Sequence, residues 1–355
     1  MARDIGVLVV DDSAFMRKML TDILESTGEI KVVGTARDGL EALKKVKELN
    51  PDIITLDVEM PSMDGLSCLR ELQKITDIPV IMLSSRTGTG EKATIEALEA
   101  GAIDFITKPT GLFDISGEEK KKEIIEKVKM AKTIRPGNLT AYRPAAVIPV
   151  SKAAQAYRRY NDLKTLVVIG TSTGGPKALQ EVIPFIPDDI PAAIVIVQHM
   201  PPGFTKSLAD RLNTLSRLIV KEGENNEVIK AGFAYLAPGD FHMEVFRDGP
   251  DMKIRLTKGP PLGSLRPAVN VLMDSVAKTG FPEVIGVIMT GMGNDGSEGI
   301  VKMKKANNAV IISQDEQSCV IYGMPKSAVS TGVVDAIVPL KEISEVIVKY
   351  MGVDQ

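Results

Sequence analysis

Residues 165–182 read TLVVIGTSTGGPKALQEV. An apolar run, a glycine-crowded turn and a helix-forming segment follow one another, and Pro176 falls where a first helical turn loses nothing from a missing N–H. This strand–turn–helix unit predicts a parallel α/β domain, and the neighbouring sequence extends it. Apolar runs return at 192–198 (AAIVIVQ), 284–290 (VIGVIMT) and 309–313 (AVIIS), with helical stretches between them. A β-rich excursion at 231–236, 241–246 and 252–256 is punctuated by Pro-Gly-Asp and Asp-Gly-Pro, both hairpin signals. The expectation for residues 163–350 is a mostly parallel sheet with a β-hairpin insertion.

The same alternation fills residues 1–125. Short apolar runs at 7–10, 31–36, 52–56, 79–84 and 103–107 are separated by amphipathic segments; in the first of these Phe15, Met19 and Ile23 recur four apart. Five such units predict a (βα)5 domain with a doubly wound parallel sheet, because parallel strands need crossover helices. A heavily charged helix near 118–131 reads as a solvated surface element. Residues 126–162 hold its end and then a linker: Pro136, Pro144 and Pro149 interrupt any pattern, basic residues dominate, and three of the six tyrosines (Tyr142, Tyr157, Tyr160) fall here.

Composition excludes several classes. At 355 residues with 44% apolar and 25% charged content, the chain is an ordinary globular protein of about two domains. No apolar run approaches the ~18 residues of a membrane span, and the acidic residues soon after the start are unlike a secretory leader. A net charge of −3 gives no electrostatic footprint for nucleic acid. Two cysteines, Cys68 and Cys319, cannot form a disulfide framework and suit a reducing cytoplasm. With only two histidines, His199 and His242, a zinc cluster is all but excluded, and a histidine base has just two candidates.

Two constellations carry chemistry. In the first domain, Asp11 and Asp12 follow the first strand, Asp57 the third and Ser84 the fourth, and Lys108 lies beyond the fifth. Side chains just past the carboxyl ends of a doubly wound sheet converge on one crevice. Three carboxylates gathered there repel one another unless a cation sits among them, and hard oxygen ligands favour Mg²⁺. Lys108 and the Ser84 hydroxyl suit phosphoryl oxygens, and Asp57 is placed to form an acyl phosphate. The stretches VLVVDDSAFMR, DIITLDVEMPSMDGL, PVIMLSS and GAIDFITKP resemble a response-regulator receiver domain. The resemblance implies that Asp57 accepts phosphate from a histidine kinase. It further implies that Asp12 and Asp57 ligate Mg²⁺ with Asp11 assisting, and that Ser84 and Phe105 change conformation with the phosphoryl group.

In the second domain, Gly170-Thr171-Ser172-Thr173-Gly174 matches G-x-S-x-G between a strand and a helix, which presents a serine hydroxyl on a tight turn. Taken alone, such a turn more often cradles phosphate or simply packs closely. His199 follows the next apolar run, 27 residues beyond Ser172, the length of one crossover unit. Neighbouring strands would bring both to one sheet edge, whereas His242, in the hairpin, is expected to face solvent. Asp295, in the glycine-punctuated loop GMGNDG, is the expected orienter of the imidazole, with Asp315 and then Asp240 as competitors.

Receiver, linker, GTSTGGP, VQHMP, GMGNDG and SCVIYGMP together resemble, over essentially the full chain, the chemotaxis response-regulator protein-glutamate methylesterases (CheB). The resemblance implies a substrate, methylated glutamates of chemoreceptors, with methanol released and receptor glutamines deamidated. It also implies oxyanion contacts from the backbone near Thr173 or Met292, no cofactor in the catalytic domain, and inhibition by the unphosphorylated receiver. Two rivals remain: a partner-binding adaptor, and a nucleotide site at GTSTGGP, which lacks the Walker lysine.

Overall fold

The computed structural model describes residues 4–108, 117–134 and 163–352. The chain divides into two compact units, Met1–Tyr142 and Arg143–Gln355. The linker expected over 126–162 lies, from residue 135 onward, outside the described residues.

The first unit is built on β1 (Ile5–Val10), β2 (Ile30–Ala36), β3 (Ile53–Asp57), β4 (Val80–Ser84) and β5 (Asp104–Thr107), all parallel in the order β2-β1-β3-β4-β5. Helices α1 (Ala14–Glu25), α2 (Gly39–Leu49), α3 (Gly65–Ile75), α4 (Gly88–Glu99) and α5 (Glu118–Ala131) accompany it. Because helices cover both faces, strand interiors read as continuous apolar runs, and Val7, Leu8, Val9 and Val10 are fully buried. Sheet growth reverses at β1, whose neighbours β2 and β3 lie on opposite sides; the crevice at such a switch point is where ligands bind in open α/β sheets. In α1 the apolar stripe is Met19, Leu20, Ile23 and Leu24, while Phe15, expected on that stripe, is 56% exposed. The charged α5 is not wholly solvated, since Ile124, Val128 and Ala131 form a buried face.

The second unit holds a seven-stranded sheet in the order β14-β13-β12-β6-β7-β9-β8. Its strands are β6 (Thr165–Thr171), β7 (Ala192–Gln198), β8 (Ile219–Glu222), β9 (Phe233–Leu236), β12 (Glu283–Ile288), β13 (Val310–Gln314) and β14 (Ala336–Val338), paired in parallel throughout. Strands β10 (His242–Asp248) and β11 (Asp251–Thr257) form a separate antiparallel hairpin. The helices are α6 (Gly175–Val182), α7 (Phe204–Leu215), α8 (Val269–Ala277), α9 (Ser297–Asn307), α10 (Met324–Ser330) and α11 (Ile343–Tyr350).

Two expectations are corrected here. The run at 231–236 belongs to the main sheet as β9, not to the hairpin excursion, because FAYL is apolar on both faces and Tyr235 is fully buried. His242 does not face solvent: it is 3% exposed, and Nε2 lies 3.1 Å from the Pro260 carbonyl. The hairpin is seated on α8, where Met243, Val245, Met252 and Ile254 share a core with Leu272, Met273 and Val276. Ser275 Oγ of that helix accepts a hydrogen bond from the Val245 N–H at 2.8 Å. Burial of the hairpin's inner face therefore encloses the position that alternation alone assigned outward.

Candidate active site

The first crevice gathers Asp11, Asp12 and Asp57, each offering a carboxylate oxygen within 4.8 Å of the others. Asp11 and Asp57 are buried and Asp12 is exposed. Lys108 Nζ lies 2.8 Å from Asp11 Oδ2 and 2.6 Å from Asp57 Oδ2. Burial pushes the Asp57 carboxyl up, Lys108 pulls it down and Asp11 adds repulsion, leaving it at about 6. The α3 start comes so close that a Cβ on Gly65 would lie 2.0 Å from the Asp57 carbonyl oxygen, so only glycine fits there. Three oxygen donors against one ammonium leave the cluster net negative, and none of the three is a soft ligand. The donor set fits a hard divalent cation.

Ser84, at the end of β4, is fully buried. Its hydroxyl accepts from Thr94 Oγ1 at 2.6 Å and lies within donating distance of the Ser85 carbonyl at 3.2 Å and the Gly90 carbonyl at 3.3 Å, so two of its three described contacts lead into α4. Phe105 is 4% exposed, with the Lys127 ammonium 5.4 Å from its ring centre.

The second crevice lies where β6 has β7 on one side and β12 on the other, again a switch point. Register places two of the expected residues side by side. Thr171 pairs with Gln198 across β6 and β7, so Ser172 and His199 are the first residues past adjacent strand ends. The His199 N–H donates to the Thr171 carbonyl at 3.2 Å, and the Ser172 N–H donates to the Thr290 carbonyl, beyond β12, at 3.0 Å. The turn thus hangs between two strand ends, with Ser172 half-buried.

Asp295 reaches the same place from the loop after β12. Its Oδ2 is 2.8 Å from His199 Nε2, and the two side chains are 8% and 6% exposed. The N–H groups of Val269 and Asn270 donate to its Oδ2 and Oδ1 at 2.6 and 2.8 Å. Burial alone would raise the Asp295 carboxyl, but His199 and these two N–H groups outweigh it and hold it below the usual carboxylate range. The competitors are engaged elsewhere: Asp315 accepts from the Ser318 N–H at 3.0 Å, and Asp240 pairs with Arg266. Thr173 is buried, its carbonyl accepting from Thr290 Oγ1 at 3.0 Å. Met292 is half-buried after Gly291, whose N–H donates to the Ile321 carbonyl at 3.1 Å.

Three supporting residues escaped the sequence reading. Gln198 donates from Nε2 to the Ser172 carbonyl at 2.9 Å and accepts from Thr171 Oγ1 at 2.6 Å. Thr290 bridges the turn and the 321 segment, accepting from the Ile321 N–H at 3.0 Å. Asn270 accepts at Oδ1 from the N–H groups of Gly296 and Gly299 at 3.0 and 2.8 Å. Gln198 and Thr290 did carry a signal, as polar residues closing otherwise apolar runs; Asn270 carried none.

A phosphoacceptor-like acid crevice, in one chain with a serine, a histidine and an aspartate at the strand ends of a second parallel sheet, defines the class: a response-regulator hydrolase. Comparison with known proteins sharpens it. Residues 167–347 match the CheB methylesterase family, and residues 7–116 match the response regulator receiver domain. The protein-glutamate methylesterase/protein-glutamine glutaminase of Pyrococcus horikoshii is 48% identical over 353 residues, covering 99% of this chain and 95% of its own. That of Thermotoga maritima is 44% identical over 349 residues, covering 98% and 99%. The crystal structure of the Thermotoga maritima CheB methylesterase catalytic domain, 45% identical, superposes with a TM-score of 0.50 and covers 53% of this chain and 97% of that one. The chain belongs to the CheB family of protein-glutamate methylesterases/protein-glutamine glutaminases. It is a receiver-bearing hydrolase of chemotactic adaptation. No helix among the described residues is long and apolar enough to cross a membrane.

Proposed function

We propose that Ser172, His199 and Asp295 form the catalytic triad of a cytoplasmic enzyme acting on chemoreceptors, hydrolysing methylated glutamate side chains to glutamate and methanol and deamidating glutamine side chains. The observation that carries this reading is the 2.8 Å contact of His199 Nε2 with Asp295, beside a serine that leaves the adjacent strand in register. The Asp295 carboxylate accepts a hydrogen bond from the Nε2–H of His199, so Nδ1 keeps its lone pair and is the ring nitrogen left to act as base. His199 Nδ1 removes the Ser172 proton as Oγ attacks the γ-carbonyl carbon. The tetrahedral intermediate then collapses, the C–O bond to the methoxy group breaks, and the imidazolium returns its proton to the leaving methoxide as methanol. Water, deprotonated by the same nitrogen, attacks the acyl carbon, the bond from that carbon to Oγ breaks, and the imidazolium returns the proton to Ser172 Oγ as the glutamate is released. Backbone N–H groups of Thr173 and Met292 are the candidate oxyanion donors. With glutamine the leaving group is ammonia.

In the receiver, Asp57 is the residue we assign to take a phosphoryl group from the chemotaxis histidine kinase. A carboxylate oxygen attacks phosphorus as the P–N bond to the kinase histidine breaks. Asp12 and Asp57 would hold Mg²⁺, with Asp11 assisting; the ion supplies positive charge against the phosphoryl oxygens. Lys108 neutralises one of those oxygens, and Ser84 would exchange its bonds to α4 for one to the phosphoryl group while Phe105 repositions. Phosphorylation shifts the population toward a more active state only through a difference in affinity between states. Methanol release from methylated chemoreceptor membranes tests the reading: Ser172→Ala should abolish it in a folded protein. An adaptor would keep its function in that variant.

A further inference from the structure

Two helix starts meet at Asp295. The first N–H groups of α8, those of Val269 and Asn270, have no partners within their own helix, and both end on the Asp295 carboxylate at 2.6 and 2.8 Å. The start of α9 has the same need but is capped by Gly296, which has no side chain to answer it. Asn270 answers it instead: its Oδ1 accepts from Gly296 N–H at 3.0 Å and Gly299 N–H at 2.8 Å. One residue therefore donates to Asp295 through its backbone and holds the residue immediately after Asp295 through its side chain. Asn270 thus fastens both Oδ1 of the carboxylate that faces His199 and the loop that carries it, while Val269 N–H holds Oδ2; Asn270 touches neither Ser172 nor His199 in the described contacts.

We infer that Asn270 is a positioning residue for the esterase reaction, setting the angle at which Asp295 holds the His199 ring. This rests on the triad reading of the site. Its side-chain amide oxygen fixes the loop that carries Asp295, and its own N–H fixes the carboxylate; losing the former turns the imidazole away from Ser172. Misplacement of a catalytic group by about 1 Å costs on the order of 100-fold in rate, so the loss falls on kcat and leaves KM within about twofold. Asp295 is the charged group facing His199 among the described contacts. A carboxylate at position 270 would accept the same two N–H groups at a helix start that favours negative charge. It would also add a negative charge near the imidazole and favour the imidazolium.

The test is methanol release from methylated receptor membranes by the full-length, phosphodonor-activated protein as wild type, Asn270→Ala and Asn270→Asp, with thermal melts and kcat against pH for each. The expected result is a 10- to 100-fold lower kcat for the Ala variant with KM nearly unchanged, by the misplacement argument. The Asp variant should retain most of the rate at its optimum, with its acidic limb moved upward by roughly half a pH unit or more. A wild-type kcat in the Ala variant would overturn the assignment. So would an Asp variant as damaged as the Ala variant with an unmoved limb, and so would loss of the melting transition in both, which would make Asn270 a folding residue. If Ala alone fails to fold, the limb of the Asp variant decides. A wild type that releases no methanol would instead count against the esterase reading itself.

Discussion

Asp57 and Asp295 are both buried aspartates, and their surroundings push them in opposite directions. Asp57 stands at about 6 because burial outweighs Lys108, whereas Asp295 stays below the ordinary range because His199 and two helix-start N–H groups outweigh burial. The stability consequences differ in sign. The folded value for Asp57 lies above the unfolded value of about 3.9, so the native state holds the extra proton between the two. Its contribution is complete below pH 4 and is lost as pH rises through 6, on the order of 2–3 kcal/mol. Asp57→Asn should therefore raise the melting temperature at pH 7.5 in EDTA and flatten the slope between pH 4 and 6. Mg²⁺ should stabilise the wild type at that pH far more than the variant; equal responses would count against cation binding at this cluster. Asp295→Asn keeps the shape but offers one acceptor oxygen where two N–H groups and an imidazole converge. It should lower kcat by about 10³ or more with little change in KM, measured as methanol release.

At the scale of elements, the site depends on close approaches that no periodicity records. A Cβ on Gly291 would lie 2.4 Å from Met324 Sδ and 2.7 Å from Ser172 Cβ. Gly291→Ala should therefore push the serine turn off its strand end, destabilising by about 1–3 kcal/mol and reducing kcat; a melt and a rate on the same preparation check it. The hairpin has its own fastening: Ser275→Ala leaves the buried Val245 N–H without its acceptor and should cost about 1–3 kcal/mol, read by chemical denaturation. The long apolar strands were legible because both faces are buried: β6, β7, β12 and β13 fall within one or two residues of their sequence readings. β8 was missed because IVKE is a short, half-charged edge strand, and β9 was misassigned because it runs directly into the Pro-Gly-Asp hairpin signal at 238–240 while pairing in the main sheet. His242 was misjudged because alternation says which face a residue takes, not what covers that face. Strand ends were also enough to propose Ser172, His199 and Asp295, since register converts chain position into spatial adjacency. Asn270 was invisible because its value comes from two helix starts meeting across 26 residues of sequence.

At the scale of the molecule, each unit carries its own sheet, core and switch-point crevice, and each crevice gathers the groups that we assign to one reaction. Residues 163–355 expressed alone should therefore release methanol without a phosphodonor, faster than the unphosphorylated full-length protein. A rate no higher than that would remove inhibition by the receiver from the account. The central claim joins the two crevices, and one measurement reaches both: methanol release from methylated chemoreceptor membranes by the full-length protein with Mg²⁺, with and without a small-molecule phosphodonor. The account predicts release that rises with the donor, no rise in Asp57→Asn, and none at all in Ser172→Ala. Release by folded Ser172→Ala at the wild-type rate, or no release by the wild type in either condition, would contradict it.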